Sequence, residues 1–214
     1  MNLIKTIIMK KIIAIICFGL IASQFSSCKQ EQKKEVKPVV ETKSSFAYSL
    51  SKATNEIGFT AYKTTNKVPV KGMFKTVRVV GGGEGNTIKE AMNGAEISIP
   101  IGSIETNDAG RNVKIQTFFF KVMEATGTLK GKLTLQEDAK GTVAFTMNGI
   151  TKDLPITYTI NGNEFCLDAV LDINEWNGQT ALASLNTACK ALHTGGDGVS
   201  KTWNDVAIHI VSKF

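Results

Sequence analysis

The stretch from Thr142 to Ile160, TVAFTMNGITKDLPITYTI, constrains the fold more than any other part of the chain. Val143, Phe145 and Met147 alternate with Ala144, Thr146 and Asn148, the period of two that gives a strand two different faces. Asn148-Gly149 follows, a pair that tolerates positive φ at both central positions of a two-residue hairpin turn. Beyond it Ile150, Leu154, Ile156, Tyr158 and Ile160 fall on one face, and Thr151, Asp153, Thr157 and Thr159 on the other. Such a turn sets Met147 opposite Ile150, so both apolar faces coincide and the register is fixed. Lys152 interrupts the apolar face once. Pro155 has no N–H to give a ladder and is expected at a rim or bulge. A hairpin with one apolar face must be covered, and the rest of the chain has to supply the cover.

Other segments repeat the pattern. Ile57, Phe59 and Ala61 alternate with Gly58, Thr60 and Tyr62; Val68 to Val80 carries Gly72 and Phe74 and then Val77 and Val79. Ile97, Ile99 and Ile101 alternate with Glu96, Ser98 and Pro100. Thr126 to Leu135, Glu164 to Ile173 and Trp203 to Phe214 read as further strands; Lys114 to Val122 contains a Phe118-Phe119-Phe120 run that must either face two sides of a strand or cap the core. Glu105 to Asn112 reads as a polar loop. Gly81-Gly82-Gly83-Glu84-Gly85 lacks the Lys-Ser/Thr of a phosphate loop and no helix clearly follows it, so a hairpin turn is expected. One convincing helix is expected, Gln179 to Leu192, with Leu182, Leu185, Cys189 and Leu192 as an apolar stripe and a glycine cap at Gly195-Gly196. About eight antiparallel strands with one late helix suit a closed barrel or a sandwich. A barrel of about that number removes sheet edges and leaves a lumen for side chains or one slim ligand.

The start of the chain is of another kind. Lys5, Lys10 and Lys11 precede an apolar run, Ile12 to Ile21, too short to span a bilayer, which needs about 20 apolar residues. Phe25-Ser26-Ser27-Cys28 then resembles a lipobox with Phe25 in place of the usual Leu. Residues 1–27 are expected to be a lipoprotein signal peptide, with Met1 or Met9 as its start, and Cys28 the lipidated residue. An ordinary signal peptide or an anchor helix is the alternative. Acyl chains on Cys28 would anchor the chain to a bacterial envelope membrane, facing periplasm or cell surface, without a spanning helix. Residues 28–45 are polar and charged and read as a flexible tether; residues 46–214 form one domain.

The net charge of +6 includes the three signal lysines, leaving the mature chain near +3. No basic patch interleaved with aromatics favours nucleic acid. Of four cysteines, Cys17 leaves with the signal and Cys28 is lipidated. Cys166 and Cys189 remain in an oxidising compartment, where a disulfide is expected and two buried thiols are the alternative. The two histidines, His193 and His209, come with no nucleophile elbow, zinc motif or dinucleotide fingerprint. Cys189 and His193 have a chelating i, i+4 spacing, but Cys166 and Asp197 complete it only loosely. No metal, cofactor or enzymatic activity is expected; Asp108 and Arg111 read as loop residues that a ligand head could touch.

Four stretches together resemble the YceI-like, lipid- or polyisoprenoid-binding family. These are Ile57-Gly58-Phe59-Thr60-Ala61 with Gly72-Met73-Phe74; Ser103-Ile104-Glu105-Thr106, similar to the family's S-I-x-T; Arg111 to Phe120, leading to an F-F pair; and Asn148-Gly149-Ile150-Thr151-Lys152. The sequence departs from the family pattern at Asn112-Val113, where Asp and His are usual, at Lys63, where many members have histidine, and in a longer segment from Trp176 to Trp203. The resemblance implies an eight-stranded, lipocalin-like antiparallel barrel holding a long isoprenoid, of quinone or polyprenyl type, as carrier or reservoir. By alternation Ile57, Phe59, Ala61, Phe74, Ile97, Ile99, Phe120, Phe145, Met147, Ile156, Tyr158, Leu171 and Ile208 face inward and are the expected lumen wall. Each is also an ordinary core residue, and a filled barrel acting through its surface is the alternative reading.

Overall fold

The computed structural model describes residues 45–125 and 127–214; the expected signal peptide, the expected lipidation at Cys28 and the expected tether up to residue 44 lie outside the described residues. In chain order the elements are β1 (Tyr48–Ser49), β2 (Thr54–Lys63), β3 (Val68–Phe74), β4 (Arg78–Gly81), β5 (Glu84–Gly85), α1 (Ile88–Met92), β6 (Glu96–Pro100) and β7 (Ile104–Glu105). Then come α2 (Ala109–Phe118), β8 (Thr128–Leu135), β9 (Lys140–Met147), β10 (Ile150–Asn161), β11 (Glu164–Asp172), α3 (Gln179–Ala188), α4 (Lys190–His193) and β12 (Asp205–Lys213).

The central hairpin is built as its sequence dictates. Ile150 pairs with Met147, Leu154 with Val143 and Pro155 with Thr142. Asn148 and Gly149 sit at φ 52 and 71, the left-handed pair that matches the twist of the strands. Val143, Met147, Leu154, Ile156 and Tyr158 are buried. Lys152, the one break in that face, reaches Glu175 at 3.1 Å, and Ile160 at its far end is exposed. Pro155 lies neither at a rim nor at a bulge. It lies in the half of β10 that pairs only with β9, because the β11 ladder begins at Thr157; on that side no N–H is asked of it.

β4, β6, β8, β9, β10, β11, β12, β2, β3 and β7 form one curled antiparallel sheet, and β1 pairs with β5 in a separate two-stranded ribbon. The mostly antiparallel, curled sheet agrees with expectation, but it is a half-barrel and not the closed eight-stranded barrel with a single helix that was expected. Two expected strands are each cut in two, β3 from β4 by Lys75–Val77 and β6 from β7 by a 3-10 turn, Ile101–Ser103. The Lys75 amide donates to the Ser103 carbonyl at 2.9 Å, so the two ends of the sheet order meet at this seam.

The helices differ most from expectation. Four are present. Lys114 to Val122 is not a strand: Asp108 caps α2 by accepting from the Arg111 amide at 2.9 Å, an N-cap that starts a helix in what read as a loop. The aromatic run caps the core instead, with Phe119 and Phe120 buried and Phe118 exposed. A short helix, α1, does follow the glycine run, started by a capping box between Thr87 and Glu90. The late helix breaks at Cys189, whose backbone leaves the helical region. The break turns Leu192 off the apolar stripe, and it stands 58% exposed. The helix then ends at Thr194 in an extended conformation, and neither Gly195 nor Gly196 adopts positive φ.

Cys166 on β11 and Cys189 at the end of α3 are free thiols, so the expected disulfide is absent. Cys166 alternates onto the outer side of β11, opposite in sense to buried Phe165 and Leu167, while Cys189 is buried between helices.

Two apolar cores share the inner face. One lies under α1 and includes Leu133, Val143, Ile156, Tyr158, Phe165 and Leu167. The other lies under α2 and α3 and includes Phe74, Phe120, Met147, Leu171 and Trp176. Residues 43–214 form one compact unit that supplies every described residue of both cores.

Candidate functional site

The core under α2 and α3 does not close completely. A cavity of about 130 Å³ lies between the sheet and the two helices. Strands supply Phe59, Ala61, Phe74, Phe145, Met147, Leu171 and Ile208; the lid supplies Ile115 of α2, Phe119 and Phe120, and Leu182 and Leu185 of α3. Thr202 alone among the lining residues is polar apart from the Trp203 indole N–H, and that N–H is already given to the Thr64 carbonyl at 2.8 Å. Phe59 keeps its place because its cross-strand partner is Gly72: a Cβ there would stand 2.4 Å from the Phe59 ring.

A second space of about 240 Å³ adjoins it and shares Phe59, Ala61, Ile115, Leu185 and Thr202 with it. Its remaining walls mix charged and polar side chains, Lys63, Asp108, Arg111, Lys114 and His193, with Tyr62 and the apolar Val70, Cys189 and Leu192. An apolar chamber thus opens into a cationic mouth between α2 and α3–α4.

The mouth is held by identifiable bonds. Thr202 Oγ1 donates to Asn186 Oδ1 at 3.0 Å, so its contact with His193 Nδ1 at 2.7 Å has the imidazole as donor. That fixes the tautomer and leaves Nε2 as an acceptor. Burial, and then the charges of Lys63 and Lys114, hold His193 below its ordinary value, so the ring is neutral at neutral pH. Asp108 is drawn below the usual carboxylate range chiefly by the Arg111 amide, and its carboxylate stands 3.4 Å from the Arg111 guanidinium.

The departure at Asn112 has a structural reason. Its Oδ1 accepts from the Thr106 amide at 2.9 Å and the Thr106 hydroxyl at 2.7 Å, while its Nδ2 donates to Glu105 at 3.1 Å. An aspartate could not make the last bond. Lys75, then Asn112 and the Asn107 amide, draw Glu105 down to about 2. The Ser103–Thr106 segment therefore ties α2 to the sheet edge, and its Ile104 lines the cavity.

Of the thirteen expected lumen residues, Phe59, Ala61, Phe74, Phe120, Phe145, Met147, Leu171 and Ile208 line the cavity. Ile57 and Ile99 are buried in the same core without lining it, and Ile97 bridges both cores. Ile156 and Tyr158 belong to the filled core under α1, where the Tyr158 hydroxyl donates to the Gln136 carbonyl at 2.9 Å. Alternation finds the inward face but not which stretch of it stays empty. The lid residues Ile115, Leu182 and Leu185 escaped the strand count; the stripe on α3 was the signal that could have found two of them. His209 stands on the outer face, 2.7 Å from Asp168. No group of three His, Cys, Asp or Glu side chains among the described residues is placed to hold a metal ion. Among them, too, no helix is long and apolar enough to cross a membrane.

One solved structure shares this fold and others are similar to it in part. A polyisoprenoid binding domain from Saccharophagus degradans, implicated in plant cell wall breakdown, aligns over 78% of this chain and 97% of its own at TM-score 0.55 and 13% identity. Burkholderia cenocepacia BcnA aligns over 77% and 98% at TM-score 0.47 and 18% identity, and a YCEI protein of Campylobacter jejuni over 65% and 81% at 0.44 and 19%. No curated protein matches the chain. The family model of the YceI-like domain matches residues 48–214, an unbroken span from β1 to the end of β12, and the chain belongs to that family.

Proposed function

We propose that this protein binds a long-chain isoprenoid lipid, of quinone or polyprenyl type, as a carrier or reservoir. The chain would lie in the apolar cavity and the head at the mouth, beside Lys63, Arg111, Lys114 and His193. It would be held at a bacterial envelope membrane, facing periplasm or cell surface, by acyl chains on Cys28. The observation that carries the reading is an almost wholly apolar chamber opening into a polar mouth, the division of labour that a hydrocarbon with a polar head requires. The YceI-like family and a fold shared with a polyisoprenoid binding domain support it. No catalytic arrangement is invoked, and the role proposed is binding.

The chamber is small. A cavity near 150 Å³ takes a ligand the size of benzene, so 130 Å³ admits one short stretch of chain. A longer chain requires the α2–α3 lid to part. On this reading the chain enters from the lid side, between α2 and α3.

Trp203 lines the cavity and Trp176 lies in the same core; these are the chain's two tryptophans. Titration with a long-chain quinone should quench their fluorescence saturably at one ligand per protein, and a tail-less quinone should not. Quenching that is linear with both compounds sinks the reading.

A further inference from the structure

The cavity mouth bears apolar side chains that nothing in the fold covers. Leu192 lines it and is 58% exposed. Val113 is 62% exposed on the solvent side of α2, next to the face whose Gly110, Arg111 and Lys114 line the mouth. Lys63, Arg111 and Lys114 stand at the same opening, with Asp108 as the one carboxylate in its lining. Asp108 is taken up by Arg111. Lys63 and Lys114 form no salt bridge with any described residue, which is equally true of Lys71 and Lys130 on the sheet, so what sets them apart is their place at the opening.

Aliphatic side chains beside unpaired cations suit one kind of partner. The aliphatics enter the boundary between headgroups and acyl chains, and the cations meet lipid phosphates. An acidic protein would satisfy the cations but would leave the apolar chamber opening onto a protein surface. We propose that the face made by α2 and α4 is a docking surface for an anionic bilayer. It sets the cavity mouth against the leaflet, so that a hydrocarbon chain passes between membrane and chamber without crossing water. The inference rests on the lipid-binding reading above, but its test needs no isoprenoid.

The experiment is sedimentation of residues 43–214 with sucrose-loaded vesicles of phosphatidylglycerol and phosphatidylcholine, against vesicles of phosphatidylcholine alone. Binding is expected to the anionic vesicles only and to weaken as salt rises. Lys63→Gln with Lys114→Gln should lower partitioning about fivefold per cation removed. Val113→Asn with Leu192→Asn should lower it by a similar factor. Lys71→Gln with Lys130→Gln, exposed cations of the sheet strands, should leave it within about twofold, and all variants should keep the parent circular dichroism and melting temperature. Equal loss in the sheet control, equal binding to neutral vesicles, or no binding at low salt overturns the proposal. A chain that ignores vesicles yet is quenched by a detergent-delivered quinone loses the docking surface and keeps the lipid site. One that binds vesicles but no isoprenoid does the reverse.

Discussion

Ala61→Phe is the sharpest probe of the chamber. Ala61 lines both the chamber and its mouth, on a strand whose alternate residues Ile57 and Phe59 also point inward. A phenyl group there enters an apolar space of about 130 Å³, close to the roughly 150 Å³ that takes benzene. Burying the ring contributes about 1.5–3 kcal/mol, and tight packing costs about 1–3 kcal/mol, so the folding free energy should stay within about 1 kcal/mol of the parent. The ligand loses the same space. Excluding about five methylene-sized groups at about 0.8 kcal/mol each removes about 4 kcal/mol of binding, nearly three powers of ten in Kd. Urea unfolding and quinone titration read the two quantities separately. A variant that folds normally and binds as tightly as the parent would falsify the placement of the chain in this chamber.

Tyr158→Phe should do the opposite: it removes the bond to Gln136, costing about 1 kcal/mol of stability, and leaves quinone affinity unchanged because Tyr158 belongs to the filled core. His193 is held below its ordinary value of 6.5. The unfolded chain therefore binds its proton first, and stability present above pH 6.5 is lost as pH falls below it; His193→Gln should flatten that slope in pH-dependent melts. For the thiols, mass spectrometry after alkylation of the native protein without reductant should show Cys166 modified slowly, since burial and Glu164 raise its pKa, and Cys189 protected; denaturation should then label both. A pair resistant to alkylation until reduced contradicts the free thiols.

How much was legible follows from what sets each element. Strands whose two faces see different surroundings announce themselves, which is why the Asn148-Gly149 hairpin appears with the expected faces and register, and β11 and β12 with the expected faces. What alternation cannot show is an interruption. β3 and β4 are apolar enough to read as one strand, and the break between them comes from the pairing with β6 and β7 across the seam. The lid is harder still. No residue of α2 is fully buried, so it has no strong apolar stripe, and three consecutive phenylalanines fit a strand as well as a cap. Its actual start signal, Asp108 three residues before Arg111, is a cap that many loops also carry. Seven chamber residues were found because the inner face of a curled sheet is fixed by parity, whereas Phe120 reaches the chamber from the lid. Ile156 and Tyr158 were misplaced because parity carries no information about position along the interior, where α1 brings a second core.

Native mass spectrometry of the protein, purified from its own membranes in mild detergent, tests the central claim most directly. The account predicts one non-covalently bound species per chain, released on activation, whose fragments step by the isoprene repeat, and its loss in the Ala61→Phe variant. A chain that emerges empty from those membranes, and stays empty after incubation with long-chain quinones and polyprenyl lipids, contradicts it.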